Sequence, residues 1–117
     1  MDYVDALGSE RFGVCLDVGH AALVSQDPAE MIYTLGNKYL FATHMHDNTT
    51  LSDDHMIPGY GKLDWISIGK ALNDIGYEGV FNYEADRTYF RLGEFRKELS
   101  LEFLKLYAEL GRSIVNE

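Results

Sequence analysis

A chain of 117 residues holds one domain at most, and its 46% apolar content is enough for an ordinary core. Its formal net charge of −9 argues against the clustered Lys and Arg that hold phosphate backbones or anionic membranes, so neither nucleic acid nor a membrane is an expected partner. The single cysteine, Cys15, excludes an internal disulfide and fits a reducing, cytoplasmic setting; the stretch from Met1 to Asp5 has neither the basic region nor the apolar core of a secretory signal, and no apolar run approaches the roughly 20 residues of a membrane span.

Residues 2–7 read as the end of a helix with Gly8 as its stop. Phe12 to Leu16 is a short apolar run ending at Asp17-Val18-Gly19-His20, which predicts a buried parallel strand with polar groups at its carboxyl end. Cys15, inside it, reads as an inert core thiol. Asp27-Pro28-Ala29-Glu30 predicts a helix start, with a capping Asp, Pro at the first helical position and Glu at the third; the helix runs to Leu35 and ends at Gly36-Asn37. A second strand follows over about residues 39–46, then a polar loop to Gly61. Asp64 caps a further helix with Trp65, Ile68, Leu72 and Ile75 on one face, and Gly76 stops it. Residues 79–84 predict a third strand. Beyond it Phe95, Leu99, Phe103, Leu106 and Leu110 keep a helical period through about residue 110. A strand, a polar strand end, a loop and a helix thus recur three times, which implies a parallel sheet with its site at the carboxyl strand ends. Val14 and Leu16 are expected to meet the helices, while Gly13, Cys15, Leu40, Ala42 and Val80 face the other side.

All three strands end in a potential ligand: Asp17, His44 and Glu84. Three of the four histidines (His44, His46 and His55) lie within twelve residues, among Asp47, Asp53 and Asp54. Buried imidazoles and carboxylates need hydrogen bonds or a cation, and a divalent metal is the simplest reading. Nitrogen and carboxylate oxygen without thiolate suit Zn²⁺, Mn²⁺, Co²⁺ or Fe²⁺ better than Ca²⁺. Each residue also has a plain structural role open to it. Asp17 can cap the next turn, Glu84 can be a surface charge, His20 can bond a loop carbonyl, and Asp53 with His55 can belong to a solvated loop. His46 shares strand parity with His44; one of them suffices as ligand, and the other can be a supporting or substrate contact. Gly59 and Gly61 around Tyr60 suit a turn at the pocket mouth.

The segments from Val14 to His20, Thr43 to Asn48, Asp53 to His55 with Pro58-Gly59-Tyr60-Gly61, Leu63-Asp64-Trp65, and Gly76 to Gly79 ahead of Glu84 resemble, in order and spacing, the xylose isomerase-like (β/α)₈ barrels. That superfamily includes sugar phosphate isomerases and epimerases, inosose dehydratases and AP endonucleases of the endonuclease IV type. The resemblance implies a partial TIM barrel over residues 1–117, about three βα units from the C-terminal part of a barrel of about 250 residues. It implies Asp17, His44 and Glu84 as metal ligands, Asp53 and His55 as ligands of an additional ion, and His20 as a substrate or metal contact. The expected cofactor is a divalent ion: Mn²⁺, Zn²⁺, Co²⁺ or Mg²⁺. Glu84 and His20 are the catalytic candidates, and the family's strand-five glutamate has no counterpart.

Three readings remain open. The first is a metal-dependent isomerase or epimerase acting on a sugar or sugar phosphate, in which Glu84 moves a proton beside a polarised oxygen through an enediolate; lacking the second glutamate, the chain alone is expected to be inactive. The second is a metal-dependent phosphodiesterase like endonuclease IV, which the Asp53-x-His55 pair favours and the acidic balance disfavours. The third is a non-catalytic fragment. Three parallel strands do not close a barrel, so the open edges and apolar face predict a homo-oligomer, most simply a dimer.

Overall fold

The structure, a computed structural model, describes residues 1–87 and 96–116; Phe95, expected on the last helix, lies outside them. In chain order the elements are α1 (Asp2–Ala6), β1 (Val14–Asp17), α2 (Val18–Leu23), α3 (Pro28–Tyr39), β2 (Leu40–His44), α4 (Trp65–Asp74) and α5 (Arg96–Asn116). Among the described residues no helix is long and apolar enough to cross a membrane.

The helix starts follow from side-chain caps. The Asp27 carboxylate accepts from the amides of Ala29 (2.8 Å) and Glu30 (3.2 Å), with Pro28 preset for the first turn. Asp64 accepts from the Ser67 amide at 3.1 Å. The break expected at Gly36 is present as a kink, φ +56°, and the helical segment resumes to Tyr39. The short helix α2 is an addition to the expected elements: Asp17 caps it through the His20 amide at 2.8 Å.

β1 and β2 pair in parallel, with Asp17 opposite His44. The register slips between Val14 and Cys15, which face Leu40 and Ala42, so Phe41 is the extra residue of a bulge. This offset corrects one expectation, and the uncovered face of β1 corrects another. Leu40 turns to the helix side and is buried, and Cys15 is exposed rather than a core thiol. Burial first, then the nearby charges of Asp17 and Glu84, push the Cys15 thiol up.

The third strand is shorter than expected. Its contact with the chain beyond β2 is one parallel bridge, Met45 opposite Tyr83, held by Met45 N–H to Asn82 O (2.7 Å) and Glu84 N–H to Met45 O (3.1 Å). Further back, the Val80 carbonyl accepts from the Thr43 hydroxyl (3.1 Å) and the Tyr77 hydroxyl (3.2 Å), which occupies it outside any ladder.

The core lies between the sheet and the helices. Leu16, Leu40 and Met45 pack with Ile32 of α3, Trp65, Ile68, Ala71 and Leu72 of α4, and Ile114 of α5. Burying each large aliphatic side chain stabilises the fold by about 1.5–3 kcal/mol. Gly69 lets α4 and α5 approach closely, since a Cβ there would stand 1.8 Å from the Ile114 carbonyl oxygen. Helix α5 therefore docks through its last turns, at Leu110, Ile114 and Val115, and Leu99 and Leu106 of the expected face are exposed.

Candidate functional site

The carboxyl ends of β1 and β2 place Asp17 and His44 side by side, and the Met45–Tyr83 bridge brings Glu84 next to them. The His44 Nδ1 atom lies 2.8 Å from Glu84 Oε2 and 3.7 Å from Asp17 Oδ2. One donor atom from each of Asp17, His44 and Glu84 falls within 4.8 Å of the others. A second group adjoins the first: His20 from α2, His46 after β2, and Asp53 and His55 from the loop. His20 spans both, with Nδ1 3.1 Å from Asp17 Oδ2 and Nε2 3.3 Å from Asp53 Oδ1. All six residues singled out from sequence (Asp17, His20, His44, Asp53, His55 and Glu84) thus lie in these two groups.

The loop reaches the site because of Asp47, whose role the sequence reading missed. Its carboxylate is fully buried and accepts from the amides of Asn48 (2.8 Å), Gly59 (2.9 Å), Gly61 (2.9 Å) and Leu63 (3.1 Å), and from the Trp65 indole at 2.8 Å. Gly61 is required there, because a Cβ would stand 2.2 Å from Asp47 Oδ1. An antiparallel bridge between Asp47 and Met56 folds the loop back on itself. Asn48, also buried, donates to the Gly19 carbonyl at 2.8 Å and so ties the loop to α2. The available signal was Trp65: a largely buried indole needs an acceptor, and a carboxylate following a strand is a natural one.

The donor chemistry fits a cation. His55 Nδ1–H donates to the Glu84 backbone carbonyl at 2.6 Å, so the neutral ring presents a bare Nε2 to the Asp53 carboxylate 3.2 Å away. Two lone-pair atoms at that distance call for a proton or a metal between them, and a ring N–H bonded to a carbonyl is the usual posture of a metal-binding histidine. Glu84 Oε2 is buried and makes no hydrogen bond despite its nearness to His44. Three carboxylates (Asp17, Asp53 and Glu84) converge here, and among the described residues no Lys or Arg forms an ion pair with them. His55 also holds a left-handed backbone, φ +47°, a conformation costly for a non-glycine residue and common at functional sites.

Asp17 does both jobs open to it, capping α2 and facing the histidines. Burial by itself raises its carboxyl; the His46 ring and the His20 amide outweigh that and hold it well below the usual carboxylate range. For His46 burial works against the charged ring, and the hydrogen bond to Asp17 prevails and raises it.

The profile of the xylose isomerase-like TIM barrel family matches residues 1–107, and the chain belongs to that family. A D-psicose 3-epimerase of Enterocloster bolteae is 33% identical over 80 residues, which are 68% of this chain and 25% of the epimerase. An uncharacterized protein of Methanocaldococcus jannaschii is 31% identical over 111 residues, covering 93% of this chain and 37% of that protein. Among solved structures, a D-tagatose 3-epimerase-like protein superposes with a TM-score of 0.61 at 30% identity over 92% of this chain and 38% of its own. The chain therefore spans between a quarter and two fifths of these relatives, and its parallel α/β architecture is part of a TIM barrel.

Proposed function

We propose that the chain, as a single partial-barrel domain over residues 1–117, is the metal-binding part of a sugar or sugar phosphate epimerase of the xylose isomerase-like family. Asp17, His44 and Glu84 hold one divalent cation, Mn²⁺, Zn²⁺, Co²⁺ or Mg²⁺, and Asp53 and His55, with His20, face a second. The observation that carries the reading is the strand-end triad, with its buried, unbonded Glu84 Oε2 2.8 Å from His44 Nδ1. A bound cation supplies stabilisation of negative charge on a sugar oxygen. Glu84 moves a proton at the neighbouring carbon, and His20, half-exposed beside Asp53, orients a substrate hydroxyl. Among the described residues Glu84 is the one glutamate at this site, and proton transfer from one face alone does not invert a carbon. The chain by itself therefore binds metal without epimerase turnover. The lone cysteine fits a cytoplasmic setting.

The test is metal analysis by mass spectrometry after gel filtration. His44→Ala is expected to remove most of the metal, and Cys15→Ala to leave it nearly intact; equal occupancy in wild type and the His44 variant would sink the assignment. Ketose turnover by the purified chain would overturn the statement on activity.

A second reading is favoured by the His20–Asp53–His55 group, which adjoins the triad as in a site for more than one ion: a metal-dependent phosphodiesterase like endonuclease IV. Cleavage of abasic DNA without action on ketoses selects it, and neither activity alongside metal binding marks a non-catalytic chain. The exposed apolar side chains Phe12, Phe41 and Val80, together with the groove of about 440 Å³ lined by Val4, Phe12, Tyr39 and Phe41, support a homodimer that covers the open side of the sheet. Sedimentation equilibrium at micromolar concentration tests it, and a stable species of 13 kDa overturns it.

A further inference from the structure

We infer that His46 is a positioning residue that couples the two donor groups, its ring edge holding Asp17 and its ring face holding His55. The inference rests on the cation-binding reading above. Distance alone would make His46 itself a ligand of the second group. Ring orientation decides against that. The His46 and His55 rings are stacked, with centroids 4.2 Å apart and planes within 7°. An imidazole nitrogen offers its lone pair in the plane of the ring, and two parallel stacked planes do not meet at one cation. His55 is the ring whose Nε2 faces Asp53, so His46 is the support.

The support has two distinct surfaces. At its edge, Nε2 lies 3.0 Å from Asp17 Oδ1, which fixes the carboxylate whose other oxygen faces His20 and His44. Its face carries His55. The ring is fully buried, and Gly19 lies against it so closely that a Cβ there would stand 2.0 Å from the His46 Cε1 atom. A ring so confined cannot shift to suit one group without disturbing the other. Removing the edge should therefore weaken the strand-end group, and removing the face should weaken the loop group.

His46→Phe keeps an aromatic face and removes the donor to Asp17; His46→Gln keeps a side-chain N–H within reach of Asp17 and removes the ring. Each is made in the full chain in two backgrounds, Asp53→Asn, which leaves the strand-end group, and His44→Ala, which leaves the loop group. Mn²⁺ and Zn²⁺ affinities are read by calorimetric titration, with thermal unfolding of the metal-free chains as the check on folding. Supporting contacts of this kind are worth at least about tenfold in metal affinity. The expected pattern is crossed: His46→Phe loses about tenfold in the Asp53→Asn background and little in the other, and His46→Gln does the reverse. If both variants weaken both groups alike, or neither group at all, the coupling role is overturned while the metal reading stands. A parent chain that binds no cation in either background overturns both. Should one variant fail to fold, the other still decides, because it must strike one background and spare the second.

Discussion

On the helix side of the β1–β2 sheet, Leu16, Leu40 and Met45 are buried in one cluster with Ile32, Ile68 and Leu72; away from it, Cys15, Phe41 and Ala42 stay exposed, as does Val80 at 74%. β1 and β2 each contribute side chains to both sets. Among the described residues the buried core of the sheet lies on one face, while the other is apolar surface suited to an interface. The polar site sits at the strand ends, where the two faces meet.

That contrast can be broken most severely from the packed side. Ile32→Ala, at a fully buried position, is expected to cost about 3 kcal/mol, read as a lower midpoint in urea unfolding. Somewhat less, roughly 2–3 kcal/mol, is expected from Asp47→Asn, because four amides and an indole lose a charged acceptor; the loop group should lose metal affinity with it, measured by calorimetric titration. Asp27→Ala removes the cap of α3 and is expected to cost about 1 kcal/mol in the same unfolding measurement. The smallest change in monomer stability, within about 0.5 kcal/mol, is expected for Val80→Ser on the open side. That variant should instead shift sedimentation toward monomer, and a loss of stability comparable to that of Ile32→Ala would show that the two sides are not distinct.

Much of this was legible in the residues because the signals are local. Asp27-Pro28 and Asp64 announce their helices through caps, and the ends of the apolar runs place Asp17 and His44 at strand ends. Misreadings arose where tertiary contacts override a local pattern. Strict alternation assigned Leu40 to the wrong side, because a bulge at Phe41 changes the count by one. The third strand is shorter than its apolar run suggests, because hydroxyls of Thr43 and Tyr77 take the Val80 carbonyl. The last helix carries an even apolar stripe in sequence, whereas its docking is set by the space over Gly69. Asp47 went unassigned because its partners lie 12 to 18 residues further along the chain, apart from the neighbouring Asn48, and no short motif shows them.

The Asp47 carboxylate also has a kinetic consequence. By gathering the amides of Gly59, Gly61 and Leu63 onto one buried charge, it closes the loop as the chain folds, so the loop-closure entropy is spent at that step and not when a ligand arrives. A ligand then meets a loop that is already shaped, and its arrival is not slowed by chain ordering. Hydrogen exchange would register the same feature: these three amides, in a segment without regular secondary structure, should be protected as long as those of the core helices, opening only when the whole domain does.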